Sequence, residues 1–427
     1  MNSISAVHLK SLFTVFLFIM IQCSVSYSNS CKDLFSESAK YKPAEASPQV
    51  SIANLIKVKM DSTQGLRAQA LGSANNLLLR TGGKIYIVEM NGARGPLARE
   101  LKALSGLEDT ISSITRIDNE IWVTKRSVFV GQEGAKYPVA VQGLLESQIL
   151  VSNDNGATFR ALPLSQFQRV VNSPFGKFPE YATITRIENV RIAGKNALVV
   201  NAGLGPNAWI SFDNAQTWRS MVKAENKWEN VGYEGYFGFS NDRMFFGGEH
   251  PMDSAYLKYG IFDSAGVISK LIQPKIPDLE NRRVQFVKSS PYDSSLIFAG
   301  VEGGLLVSFD SGNSWTYSFK ETEKVAPNRE RRKYPYIFNV VFPNKENPNF
   351  VIAGGQGQVG LGTLLMSHDA GKSWIDISES TVKNQALLGL DILDDGTIIF
   401  STRDETNIDT MEAGSEAQVS VLKFDAH

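Results

Sequence analysis

Ser308-Phe309-Asp310-Ser311-Gly312-Asn313-Ser314-Trp315 reads S-x-D-x-G-x-S-W, and the pattern recurs along the chain. Ser152, Asp154, Gly156, Thr158 and Phe159 repeat it, as do Ser367, Asp369, Gly371, Ser373 and Trp374. Ser211, Asp213, Thr217 and Trp218 give a further copy, with Ala215 where the others carry glycine. Recurrence of one pattern at wide spacing is the signature of a repeat architecture.

Each copy follows an apolar run, such as Leu305-Leu306-Val307 or Leu364-Leu365-Met366, and precedes a second short run. The pattern therefore predicts the turn of a β-hairpin. An Asp at its tip accepts N–H groups from its own turn. Glycine supplies a positive φ. The Ser or Thr hydroxyl ties the turn shut, and the aromatic ring is expected to pack on the next sheet. These are structural duties, so losing one Asp is expected to loosen a hairpin without abolishing an activity.

The residues resemble the Asp-box, or BNR repeat, of sialidases, sortilin-type receptors and photosystem II assembly factors. The resemblance implies an all-β protein, a single β-propeller with the boxes on the blades' outer hairpins and the ligand on the opposite face. Such a motif specifies a fold and says little about function.

The spacing sets the blade count. Asp213 and Asp310 stand 97 residues apart, about two repeat lengths, and Asp263 in Ile261-Phe262-Asp263-Ser264-Ala265-Gly266 divides that gap as an eroded copy. Each marked hairpin follows two further strand-like runs, and the unmarked runs at 76–88 and 387–423 add a blade at either end. The last lacks an outer strand, and the isolated run Gln49 to Met60 is expected to supply it, closing the ring and removing an open edge. Seven four-stranded blades over 49–427 is the expectation, with six as the alternative if the first is decoration.

Upstream of the propeller, Lys10 precedes the apolar run Leu12 to Ile21, with small residues at Ser24 and Ser26. Residues 1–26 read as a secretory signal peptide, and 27–48 as a polar linker. The apolar run is about ten residues, half of the ~20 a membrane span needs. Secretion or periplasmic export is the expectation; Cys23 offers a lipid anchor, but Gln22 stands where a lipobox takes a small residue. Removal of Cys23 leaves Cys31 as the single thiol, so stability must come from packing. Of 427 residues 20% are charged, with net charge −1. That balance gives no electrostatic reason for nucleic acid or an anionic membrane as partner.

Candidate ligand-face residues lie in the loops away from the boxes. Arg329, Arg331, Arg332, Tyr334 and Tyr336 belong to the one strongly basic cluster, a grip for a carboxylate or phosphate or else a solvated charge run. Arg116, Arg186 and Arg283 fall on or beside inner strands, where an unpaired charge is costly. His250 lies in a face loop. Lys125 to Ser147 reads as a long insertion, a lid or surface decoration. Ser165 to Tyr181 reads as an aromatic-rich loop, and Arg403 to Glu416 as a solvated acidic loop with only a loose likeness to a calcium site. Gly355 to Gly360 matches G-x-G-x-x-G but leads into a strand, so no helix N-terminus stands ready for a pyrophosphate. No cofactor and no metal-ligating set is expected.

These residues favour a non-enzymatic binding module for a protein or glycan, expected as a monomer. A sialidase-like glycoside hydrolase is the first alternative. The resemblance implies three arginines and an Arg-Ile-Pro string, yet Arg116-Ile117-Asp118 and Arg186-Ile187-Glu188 lack the proline. An assembly factor for a membrane or envelope complex is the second.

Overall fold

The structure is a computed structural model that describes residues 50–59, 67–70, 76–81, 84–89, 97–104, 111–125, 148–162, 168–173, 176–181, 184–202, 208–223, 233–249, 255–279, 282–320, 336–356, 362–393, 395–407 and 412–424. The segments read as a signal peptide and a linker, residues 126–147 of the insertion, His250 and the cluster from Arg329 to Tyr334 lie outside them.

The chain folds as a seven-bladed all-β propeller, each blade a four-stranded antiparallel sheet. Blade one holds Arg67–Ala70, Asn76–Thr81, Lys84–Glu89 and Leu97–Glu100. Each following blade repeats that meander, with inner strands Ile111–Ile117, Ile184–Ile192, Tyr233–Ser240, Val284–Ser289, Tyr336–Val341 and Gln385–Ile392. In blade seven, β1 (Val50–Lys59) lies antiparallel to β30 (Glu412–Phe424), from Val50 opposite Phe424 to Lys59 opposite Glu416. The expected closure by the isolated first strand is thus present, and it consumes the ladder edge that β30 would otherwise expose.

The core is a set of wedges between sheets. One wedge joins Ile117, Trp122 and Val151 of blade two to Ile184, Leu198 and Trp218 of blade three. Another joins Val341, Ile352 and Leu364 of blade six to Leu387, Phe400 and Leu422 of blade seven. A middle strand is therefore buried on both faces, as Gly304–Ser308 is at all five positions. That is why such strands read as continuous apolar runs rather than as alternation.

The corners form as their residues predict. In blade five the Ser308 hydroxyl donates to Asp310 Oδ1 at 2.8 Å and accepts the Gly312 N–H at 2.8 Å. Asp310 Oδ1 also takes the Ser314 N–H at 2.9 Å, and Oδ2 the Ser314 hydroxyl at 2.6 Å. The corners at Asp154, Asp213 and Asp369 repeat this set. Gly312 is required twice over: its φ is +83°, and a Cβ would lie 2.3 Å from the Phe245 ring of blade four. Blade three sets Ala215 at the matching place with φ +65°, so it carries the left-handed strain that glycine avoids. The eroded copy keeps only Asp263 Oδ1 accepting the Ala265 and Val267 N–H groups, because Ile261 and Val267 replace the hydroxyls.

One expectation is corrected. The corner aromatic packs on the preceding blade, not the next. Trp315 stands edge-on to Phe245 of blade four at 6.0 Å, and Trp374 to Phe298 of blade five at 6.3 Å. Polar latches run the same way: Arg99 to Asn155 O, Arg219 to Ala265 O, Arg243 to Ser311 O and Ser318 to Gly371 O.

Ser308→Ala should lower stability by about 1–3 kcal/mol, because it strands the buried Gly312 N–H. Asp263→Ala, which removes bonds only from exposed amides, should cost about 1 kcal/mol or less. Urea midpoints compare the two, and equal losses would contradict the hydroxyl's role. The same corners set an acid limit. Hydrogen bonds from Thr217 and Ser211 hold Asp213 at about 2, and those from Thr158 and Ser152 hold Asp154 lower still. For Asp310 and Asp369, burial pushes upward, but the bonds from Ser314 and Ser373 and their partners outweigh it, and both carboxyls are lowered. A carboxylate depressed on folding stabilises above its unfolded value near 4, and that contribution fades as pH falls through the folded value. Stability should therefore fall between about pH 4 and pH 2, and Asp213→Asn should flatten that fall in pH-dependent urea titrations.

Candidate functional site

The inner strands share a register that places polar groups at common heights in the central channel. Those of blades three, five, six and seven carry a bulge near their start, at Ile184/Arg186, Val284/Phe286, Ile337/Asn339 and Leu387/Gly389. Counted from that bulge, Arg186 and Asn339 share one level, and Glu188, Lys288 and Asp391 share another two residues on. Blades three, five, six and seven thus contribute to one cluster.

Arg186 Nη2 lies 2.5 Å from Glu188 Oε1, and its guanidinium stands 5.8 Å from the Phe237 ring of blade four. Lys288 Nζ donates to Asn339 Oδ1 at 3.1 Å, and Asn339 Nδ2 donates to Leu390 O at 2.7 Å. That relay stitches blade five through blade six to blade seven. Asp391 Oδ1 accepts the Ile392 N–H at 3.0 Å. Enclosure by the inner strands pushes the Lys288 amine below its ordinary value; Asp391 opposes the fall, Arg186 adds to it, and Glu188 opposes it. Two cations meet two carboxylates, so the cluster is close to neutral and offers both signs of charge to a ligand.

The arginines expected at the ligand face do not converge. Arg283 precedes its inner strand, Arg186 follows the bulge of its own, and Arg116 lies three residues beyond the level of Arg186. At about 3.3 Å per residue the steps between them are about 10 Å each. Arg116 is half-buried near the corner end, and Arg283 O accepts the Glu302 N–H. Neighbouring Arg282 is structural: it is 2% exposed and donates to Glu302 O and Gly303 O. Tyr336 begins its inner strand.

Two further expectations are corrected on the face opposite the corners. The segment read as an aromatic-rich loop forms a separate hairpin, β10 (Gln168–Ser173) paired with β11 (Gly176–Tyr181) between blades two and three. The segment read as an acidic loop extends the blade-seven ladder, with Glu405 opposite Ala413 and Asn407 opposite Glu412 in β29 (Ile398–Asn407) and β30. Among the described residues no group of three His, Cys, Asp or Glu is placed to hold a metal, and no helix is long and apolar enough to cross a membrane. The G-x-G-x-x-G stretch joins Val351–Gln356 to Gly362–Ser367, two strands of one blade.

Sequence reasoning missed Glu188, Lys288, Asn339 and Asp391. The available signal was the shared bulge register, which brings single residues from four repeats to adjacent levels. Replacing Lys288 with Met should leave the fold intact and raise stability at pH 7, because it removes an enclosed charge. A lysine lowered on folding destabilises fully below its folded value, and the penalty disappears as pH rises to the unfolded value near 10.4. The advantage of Lys288→Met should therefore shrink between pH 7 and about 10 in thermal melts; an advantage that grows with pH would contradict the assignment.

No protein-family model matches the chain, and no curated protein matches it either. Solved structures do. Ycf48 bound to D1 peptide is similar at 14% identity with a TM-score of 0.50, over 90% of this chain and 99% of that one. The GH74 xyloglucanase from Xanthomonas campestris is similar at 12% identity and a TM-score of 0.51, over 83% of this chain and 53% of the enzyme. The extracellular domain of a putative one-component system from B. thetaiotaomicron gives 11% identity and 0.52, over 87% of this chain and 40% of that one. At these identities the likeness is one of fold: a seven-bladed propeller of the kind seen in Ycf48 and in GH74 enzymes.

Proposed function

We propose that the chain is an exported, non-enzymatic binding propeller that takes a segment of a partner protein on the face opposite the corners. The observation that carries this reading is the mixed, near-neutral cluster of Arg186, Glu188, Lys288, Asn339 and Asp391 in the channel beneath that face. A glycosidase needs two carboxyl groups, or a tyrosine and a carboxyl group, whose protonation is driven apart on either side of a sugar. Here Glu188 sits against Arg186, and Asp391 favours the charged form of Lys288. Each carboxylate here is set beside a cation rather than beside a second carboxyl group. A peptide brings amides and side chains of both signs, and the cluster can answer both.

The β10–β11 hairpin and the extended β29–β30 hairpin both belong to connections on that face and give a partner walls to grip. Ycf48 carrying a peptide supports the reading only to the extent that this fold can hold one. The apolar N-terminal segment supports export; Cys23 offers a lipid anchor, and Gln22 argues against it. The assembly-factor reading is a special case, in which the partner belongs to an envelope or membrane complex.

The test is selection from a random peptide display on the purified protein. Selected peptides should bind at least about tenfold more weakly to Lys288→Met and to Arg186→Ala, read by calorimetry. The protein should hydrolyse neither sialosides nor aryl glycosides. Turnover above a blank that disappears on Arg332→Ala or Tyr334→Ala would replace this reading with an enzymatic one.

A further inference from the structure

The corner face carries a groove independent of the channel cluster. It has a volume of about 460 Å³ and lies where the inner strands of blades three, four and five turn into their second strands. That size falls in the range of small-ligand sites. Phe239 and Phe262 supply apolar surface, Pro291 and Tyr292 a rim, and Arg191 and Asn241 polar groups.

The walls are fixed in place. Ser240 Oγ donates to Ser294 O at 2.7 Å, joining the turns of blades four and five. Ser290 Oγ accepts the N–H groups of Tyr292 at 3.2 Å and Asp293 at 3.3 Å. The Phe262 N–H donates to Asp242 O at 2.9 Å, holding its ring beside that of Phe239, 6.5 Å away. Asn241 holds a left-handed conformation, φ +52°, at the tip of its turn.

Against this frame three polar side chains keep free capacity. Arg191 commits Nε to Gly194 O at 3.2 Å. Its terminal nitrogens, the Asn241 amide and the Tyr292 hydroxyl have no hydrogen-bond partner among the described residues. The Tyr292 side chain is also one of the few large apolar groups left in solvent, at 38% exposure.

The chemistry of the walls selects among ligands. Turns and only one or two residues near the end of each inner strand line the groove, too short an edge to offer a ladder of alternating N–H and C=O to an extended peptide. Arg191 is the one cation among its lining residues, and exposed Asp293 stands on the adjoining turn while Asp242 faces Arg243 at 4.0 Å, so the groove holds no cluster of cations for an anion such as phosphate. Aromatic surface beside donors and acceptors at fixed positions suits a molecule with an apolar ring face and a rim of hydroxyls. We propose that this groove binds a neutral saccharide of one or two rings, one ring face lying against Tyr292 and the hydroxyls shared among Arg191, Asn241 and the turn carbonyls.

The site lies on the opposite face from the proposed peptide site, so either can fail alone. Saturation-transfer NMR and calorimetry on the purified protein, with glucose, galactose, N-acetylglucosamine, maltose, cellobiose and lactose, test the proposal. Inorganic phosphate and sialic acid serve as anionic probes. At least one neutral sugar should bind saturably. Tyr292→Ala and Arg191→Gln should each weaken it about tenfold or more, and Tyr292→Phe should cost less than Tyr292→Ala, whereas Lys372→Gln on the blade-six corner, outside the groove lining, should change nothing. No saturable sugar, binding untouched by the groove variants, or preference for the anionic probes would overturn the assignment.

Discussion

The ring depends on one small device: a serine hydroxyl that donates to an aspartate and at the same time accepts a glycine N–H from the same corner. In blade five those contacts run from Ser308 to Asp310 and from Gly312 to Ser308. The serine is 1% exposed, so both its capacities must be met inside the protein. Fixing it puts Gly312 against Phe245 and places Trp315 edge-on to the same ring. The local turn is therefore also an inter-blade contact. Because each corner leans on the blade before it, successive sheets are locked in order around the ring.

The eroded corner of blade four shows which parts of that device are separable. Ile261 and Val267 have removed both hydroxyls, yet Asp263 still closes its turn through two backbone N–H groups. The inter-blade latch also survives, since Arg219 of blade three donates to Ala265 O. A corner can thus lose its internal bracing while keeping its hold on the neighbouring blade. The two functions rest on different residues, which is why Asp263 can mark a blade whose flanking residues do not match the pattern.

Much of the architecture was legible because the corners are local. Ser, Asp, Gly and Trp at fixed offsets need only eight consecutive residues to act, so they survive in the sequence as a pattern. Closure by Val50–Lys59 was legible for a different reason, an isolated strand matched to a blade short of one. The channel cluster had neither advantage. Glu188, Lys288 and Asp391 are single residues about a hundred positions apart, and they share a level only after each strand's bulge is counted. Arginines were conspicuous in the sequence, yet Arg283, Arg186 and Arg116 stand at three heights. The extra hairpin at 168–181 was read as a loop because its two strands carry no polar–apolar alternation and are interrupted by Pro174, Gly176 and Pro179.

The two faces divide the work by how they are built. On the corner side the corners of blades two, three, five and six are braced by their own side chains, and those of blades two to six by the blade before them, so geometry there is stiff, and a groove between such turns holds its polar groups without a ligand to organise them. On the other side the connections vary most from blade to blade, from the two-residue turn of blade five at Glu302-Gly303 to the raised hairpin of blade seven. Beneath them the charges are balanced: Arg186 is answered by Glu188, and Lys288 by Asn339 with Asp391 nearby. An unbalanced cluster would attract ions of one sign regardless of shape. A balanced one contributes little to long-range attraction and much to discrimination, because a partner must match both signs at short range before desolvation is offset. Variable walls over a neutral, fixed floor are what a protein needs to select one partner by shape and pairing rather than by charge alone.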